Sequence, residues 1–266
     1  MLSVRLLVEN NLLPPLAAEH GLSALFECTD VSGGVVSVLA DTGQSDLLLA
    51  NARRLSIDLS SLDYVFLSHG HYDHSGGLRH LAQLYHGPVF AGPDVERIRF
   101  SVSATDFKMK KRNGMPDPDL VSSLHVQTVS GLHKVCPALT LFSLPDVAPP
   151  NHRLLNADGS PDTFTDELFA IVSDGSRVAL YGGCTHHGVI NLLSFVRDSL
   201  GISHIDAFVG GLHLMGRSAK EIEETARTAR DFDVTHWMIC HCSGSLALSI
   251  WQDYHDVISS PSLLLQ

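Results

Sequence analysis

The run Ser68-His69-Gly70-His71-Tyr72-Asp73-His74-Ser75-Gly76-Gly77 constrains this chain more than any other feature. It sets four potential metal ligands, His69, His71, Asp73 and His74, within six residues. Imidazole and carboxylate are ligands that zinc, iron and manganese accept. The apolar stretch Tyr64-Val65-Phe66-Leu67 leads into it and reads as a short buried strand. Residues 76–85 follow and read as a helix, with Leu78, Leu81 and Leu84 on one face. On a turn leaving a strand, the alternating side chains of His69 and His71 can point the same way, while Asp73 and His74 begin the next turn and face a neighbouring position. One loop can therefore supply half the ligands of two adjacent metals. Gly76 and Gly77 let backbone approach closely behind it.

Around this loop the chain reads as short strands and amphipathic helices separated by Gly, Pro and Asp turns, without internal repeats. Strands are expected at residues 3–8, 23–28 and 35–40, a helix at 46–55, and a strand at 89–91. From about residue 99 to 161 the pattern is poorly periodic and rich in Pro and Asp. It reads as an insertion or lid with a few strands, such as 139–144, on an otherwise single domain spanning 1–266. The last hundred residues alternate: strands at 178–181, 207–209 and 237–239, helices at 191–200, 219–232 and 246–254. A strand-rich start and a strand–helix finish suggest two sheets with helices outside.

The bulk numbers fit a folded enzyme-sized domain. A chain of 266 residues can bury roughly 70–75% of its unfolded surface, so a metal is not needed as a staple. The net charge of -11 argues against a nucleic-acid partner. One basic cluster, Lys108-Met109-Lys110-Lys111-Arg112, reads either as a solvated loop or as a landing site for an anionic substrate. Five cysteines, Cys28, Cys136, Cys184, Cys240 and Cys242, form no disulfide framework, which points to a reducing compartment. The N-terminal stretch lacks a basic segment and Glu9 breaks its apolar run, so neither a signal peptide nor a membrane span is expected, and the cytoplasm is the default. Sixteen histidines are many for this length, and position must decide which are ligands.

The pattern His69, His71, Asp73, His74 resembles the signature of the metallo-β-lactamase superfamily position for position. The resemblance implies an α+β fold, a four-layer αββα sandwich, with the site at one edge between the sheets. It implies two divalent metal ions, zinc foremost and iron or manganese as alternatives. His69 and His71 then serve one metal, Asp73 and His74 the other.

Three later segments fit. In Tyr181-Gly182-Gly183-Cys184-Thr185-His186-His187-Gly188, Cys184 stands where the superfamily places a bridging Asp or a Cys; as thiolate it would bind zinc, and otherwise it is a small buried residue. His186 and His187 are candidates for the third ligand of the first metal, with His186 preferred. His152 is a further candidate for that role, although its Pro-rich setting reads as an exposed loop. In Gly210-Gly211-Leu212-His213-Leu214, His213 is either a residue that meets substrate or a satisfied structural histidine. In Ile239-Cys240-His241-Cys242-Ser243-Gly244, His241 fits the final ligand of the second metal, while Cys240 and Cys242 alternate with it and are expected to point away into packing. His20, His80, His86, His204, His236 and His255 show no metal spacing, although His20 lies in a matched segment and could approach the site.

Taken together, Glu19-His20-Gly21-Leu22-Ser23, Asp41-Thr42-Gly43, Gly183-Cys184-Thr185-His186, Gly210-Gly211-Leu212-His213-Leu214 and His241-Cys242-Ser243-Gly244 resemble the branch labelled dihydropterin ribofuranosylaminobenzene phosphate synthase-like. A shared site does not fix the substrate. The expectation is a metal-dependent hydrolase acting on a small anionic ester, a phosphoester or a lactone or thioester. Asp73 would orient water as well as bind metal, and His213 would act on the oxyanion or leaving group. The alternatives are a synthase or transferase using the same metals, a di-metal redox protein, and a ligand sensor. A small-molecule substrate, no nucleic acid, no membrane and an optional homodimer complete the expectation.

Overall fold

Alternation of side chains along the strands sorts the apolar residues into layers. In the computed structural model, which describes residues 1–29, 33–102, 110–145 and 151–265 (without the side chains of 151 and 152), two large sheets face each other. The first runs, in spatial order, Ser262–Leu265, Leu2–Val8, Ser23–Thr29, Val35–Ala40, Tyr64–Phe66, Val89–Ala91 and Gln127–Thr128. The second runs Asp233–Ile239, His204–Gly210, Val178–Gly182, Phe169–Ser173, Leu139–Phe142 and Leu132–Cys136. Their inner faces meet in one core. Leu2, Val4, Leu6, Ala24, Phe26, Val38, Ala40 and Phe66 come from the first sheet; Leu139, Leu141, Ala170, Val172, Ala179, Tyr181, Ala207 and Val209 come from the second.

The intervening residues point outward and are covered by helices. Leu7, Leu25, Leu39, Val65 and Leu67 pack under the helix Leu47–Arg54 and the turn Leu78–Leu81. Phe142, Phe169, Leu180, Phe208 and Trp237 pack under the helices Val189–Asp198, Ala219–Ala229 and Ser245–Gln252. Helix, sheet, sheet, helix is the expected αββα sandwich. The helix Ala219–Ala229 starts on a capping box in which Ser218 and Glu221 satisfy each other's backbone N–H groups. Among the described residues, no helix is long and apolar enough to cross a membrane.

Differences from the expected elements have local causes. Of the helix expected at 76–85, only the single turn Leu78–Leu81 forms, after a separate turn at Tyr72–Ser75; between them Gly76 and Gly77 are pressed against the backbone of Gln44 and Thr42. The strand Phe169–Ser173 was not foreseen: it is buried on both faces and shows no alternation. The C-terminal Ser262–Leu265 pairs antiparallel with Leu2–Val8, a contact between chain ends that no local pattern announces. The aperiodic stretch from residue 99 contributes strands to both large sheets. It also builds a third, four-stranded sheet, Pro161–Asp162, Asn151–Asn156, Arg99–Val102 and Lys110–Arg112. Of the basic cluster, Lys110, Lys111 and Arg112 form an exposed strand, while Lys108 and Met109 lie outside the described residues.

The site sits where strands with parallel partners end. Asp41 follows Val35–Ala40, His69 follows Tyr64–Phe66, Cys184 follows Val178–Gly182, His213 follows His204–Gly210, and His241 follows Asp233–Ile239. The carboxyl ends of such strands are where open α/β sheets place ligands.

A buried ion triad clamps the small sheet to this edge. Arg99 donates from Nε to Asp162 Oδ2 at 2.6 Å and from Nη2 to Asp166, while Gly70 N donates to Asp166 Oδ2 at 2.8 Å. All three charged side chains are at most 1% exposed. Removing the cation strands two buried carboxylates. Arg99→Leu is therefore expected to lower unfolding free energy by about 3–5 kcal/mol in urea titrations. Arg79→Leu, which like its partner Asp117 is exposed, should cost about 1 kcal/mol or less.

Candidate metal centre

The 68–75 loop turns sharply between backbone walls. A Cβ on Gly70 would lie 1.8 Å from Val95 O, so only glycine permits this path. His71 then stays extended and caps the turn Tyr72–Ser75. The loop thus aims His69 and His71 one way, and Asp73 and His74 to the neighbouring position.

Two sets of donor atoms converge. His69 Nε2 lies 3.0 Å from His71 Nδ1 and 3.4 Å from His186 Nε2. Beside this trio, His74 Nε2 lies 3.2 Å from His241 Nε2, and His241 Nε2 lies 3.3 Å from Asp73 Oδ2. Cys184 Sγ is 3.2 Å from His74 Nε2 and falls in one group with His69 and His74 and in another with His186 and His213. It therefore stands between the two sets.

The hydrogen-bond network fixes which nitrogens carry lone pairs. Ser68 Oγ spends its hydrogen on Asp41 Oδ2 at 2.7 Å, so it accepts from His69 Nδ1 at 3.0 Å. Asp41 Oδ2 accepts from His74 Nδ1 at 2.7 Å. Asn10 Oδ1 accepts from Gly21 N, which sets its amide, and therefore accepts from His241 Nδ1 at 3.0 Å. In each ring Nδ1–H is committed outward and Nε2 is left with its lone pair facing the others. Such outward partners are what a metal-binding imidazole requires. Lone pairs at these separations cannot satisfy one another, and a divalent cation fits them. His71 Nε2 and His213 Nδ1 are buried without a hydrogen-bond partner among the described residues.

Electrostatics agree. Burial holds His69, His71 and His186 well below the usual imidazole value, so they are neutral, the form that binds metal. His74 departs from this: burial opposes its charge, but the Asp41 carboxylate outweighs it and lifts the ring to about 9, so Nε2 must give up a proton before it can bind a cation. Burial opposes the Asp73 carboxylate too, yet the hydrogen bond from His20, with the His74 ring close by, holds it well below the usual range.

His186, rather than His187, joins His69 and His71. His187 instead packs on Glu167, whose carboxylate accepts from the backbone N of both His186 (2.7 Å) and His187 (3.0 Å). Phe164 stacks on the His186 ring with centroids 3.6 Å apart. The side chain of His152 lies outside the described residues. His213 faces the cluster, its ring 4.3 Å from that of His186.

One expectation is overturned. Cys242 does not point away: its ligand atom groups with those of Cys184 and His241. The strand ends at Ile239 and residues His241–Ser243 form a 3-10 turn, with His241 at φ 53°, so strand alternation no longer applies. Cys240, still extended, does pack in the core. His20 also reaches the site, its Nε2 3.0 Å from Asp73 Oδ2. Glu167, Asn10 and Phe164 carry no sequence signal of their own, and Asp41 only its place at a strand end and in the matched segment Asp41-Thr42-Gly43. Asp41→Asn is expected to weaken metal binding about 10–100-fold in a competition assay with a chromogenic chelator, because the amide cannot accept from all its donors.

The geometry has counterparts in known proteins. Residues 35–202 match the family model of the metallo-β-lactamase superfamily. An uncharacterized protein of Methanocaldococcus jannaschii is 26% identical over 264 residues, covering 92% of each chain. The 7,8-dihydropterin-6-methyl-4-(β-D-ribofuranosyl)-aminobenzene-5'-phosphate synthase of the same organism is 24% identical, covering 90% of this chain and 86% of that one. The crystal structure of Tm1679, a metal-dependent hydrolase of the β-lactamase superfamily, superposes with a TM-score of 0.81 at 25% identity, covering 100% of this chain and 99% of that one. With the αββα sandwich and the histidine-rich edge already in place, the match assigns the chain: it belongs to the metallo-β-lactamase superfamily.

Proposed function

We propose that the protein is a metal-dependent hydrolase of a small anionic ester, a phosphoester or a lactone or thioester. One observation carries this reading: two adjacent sets of donors, His69/His71/His186 and Asp73/His74/His241, meet with Cys184 between them. These residues would hold a pair of divalent cations, zinc foremost, with iron or manganese as alternatives. Bound there, the cations would supply Lewis-acid activation of water and of the substrate oxygen.

The chain's own groups then have distinct tasks. Asp73, fixed by His20 and His241, presents a carboxylate oxygen that orients the attacking water. His213 lines a cavity of about 220 Å³ together with Phe164, His186, Leu212 and Arg217. Its position beside His186 suits it to give a proton to the leaving oxygen. Arg217 on one side is paired with Glu221 at 3.4 Å in the same cavity, so it is Lys111, over the Tyr72 ring at 5.2 Å on the other side, whose charge favours an anionic substrate. Phe164 and His186 shield the pocket floor from bulk water.

A second reading, a synthase using the same residues, is favoured by the 24% identity to the pterin-pathway enzyme. Isotopically labelled water separates them: a hydrolase places labelled oxygen in its product, whereas a synthase joins two organic partners without it. A chain that turns over a panel of phosphodiesters, lactones and thioesters without label uptake would defeat the hydrolase reading. His71→Ala and Asp73→Ala are each expected to lose bound metal and to slow turnover by about 100-fold or more, measured by elemental analysis and initial rates. Unchanged metal and unchanged rate in both variants would remove these residues from the site.

A further inference from the structure

The second donor set contains a feature that the loop signature does not call for, a second thiol. Cys242 and Cys184 come from different loops, yet their sulfurs and a ring nitrogen of His241 all lie within 4.8 Å of one another. The place of Cys242 is built rather than incidental. Gly244 at φ 80° and His241 at φ 53° close the turn that carries it. Ser243 Oγ accepts from Leu212 N at 3.0 Å and donates to Cys240 O at 2.8 Å, and Met215 N donates to Cys242 O at 3.1 Å. These bonds pin the turn against the loop that carries His213. Gly211 makes room for the sulfur: a Cβ there would lie 2.4 Å from Cys242 Sγ. Cys184 and Cys242 are both buried, and no disulfide joins them.

We infer that Cys242 is a metal ligand alongside Cys184, so that the position of His74 and His241 is a thiolate-pair site for a soft divalent cation such as zinc or cadmium. This rests on the reading of the cluster as a metal centre. Each thiol gives its proton to solvent as its sulfur binds, so a pair of thiolates offsets the cation's charge among buried side chains. A buried imidazole–thiolate set selects zinc over manganese or magnesium, which prefer carboxylate, carbonyl and water. Two sulfurs from two loops also tie the end of the strand Asp233–Ile239 to the end of Val178–Gly182 through the cation.

The test is cobalt(II) titration of the full chain after chelator treatment and under anaerobic conditions, reading the near-ultraviolet sulfur-to-cobalt band. Cys184→Ser and Cys242→Ser are each expected to keep about half of the band, and the double variant none of it, with cobalt still bound by elemental analysis. A full band in Cys242→Ser, or no band in cobalt-loaded Cys184→Ser, would overturn the inference. Zinc X-ray absorption checks the same point by comparison, since Cys184 between the two sets can give two zinc–sulfur bonds by itself: a zinc–sulfur count that falls from the unmodified chain to zinc-loaded Cys242→Ser supports it, and an unchanged count overturns it. Uptake with an unchanged count would sink this inference alone, whereas a folded chain that takes up no metal at all would sink the metal-centre reading together with it.

Discussion

The Asp41 carboxylate is the point on which the rest of the structure turns. It is fully buried at the end of the strand Val35–Ala40, in a left-handed conformation at φ 59°. It accepts from Ser68 N and Ser68 Oγ, from His74 Nδ1 and from Tyr181 OH, each at 2.7 Å. Those donors belong to the metal loop and to the opposite sheet. One charge thus joins both halves of the sandwich and sets the tautomer of a metal-facing imidazole. A buried carboxylate is costly unless fully paired, so the donors and the acid stabilise one another and the loop has little freedom to adopt another path.

The same logic recurs around the edge. Glu167 holds the His186–His187 backbone, Glu9 accepts from His241 N at 2.9 Å, and Asp166 accepts from Gly70 N while paired with Arg99. Each loop that carries a donor is therefore fixed by an acid lying behind it. Preorganisation of this kind leaves the imidazole and carboxylate atoms facing inward before any ligand arrives, which lowers the ordering cost of binding. The chain's negative net charge is partly the product of this design, since these acids are interior and do not act as surface charge.

The opposite faces of the cleft differ in character. On one side the half-exposed His20 lies against Asp73, with Tyr72 and Lys111 beyond it. On the other, Phe164 and His213 flank His186 in a more enclosed pocket. The third sheet, absent from the basic sandwich, brings Lys111 to the rim and anchors through Arg99 behind Gly70.

What the sequence determined by itself was local. The strand before His69, the ordered spacing through His74, and the strands ending ahead of Cys184, His186 and His241 are periodicity and short-range geometry, whereas gathering these donors at one edge was what the resemblance to the superfamily implied. The alternating apolar residues likewise dictated two sheets with helices outside. What only the tertiary structure decided was which atoms meet across long separations. Choosing His186 over His187 depended on Glu167 claiming the latter, a contact 20 residues away in sequence. The inward turn of Cys242 depended on a 3-10 turn replacing strand geometry after Ile239. Asp41, Asn10 and Glu9 became visible as partners only when folding set them against ring and backbone N–H groups up to 232 residues distant. Spacing governs side chains that share an element, whereas contacts between loops are fixed by the packing of the whole sandwich.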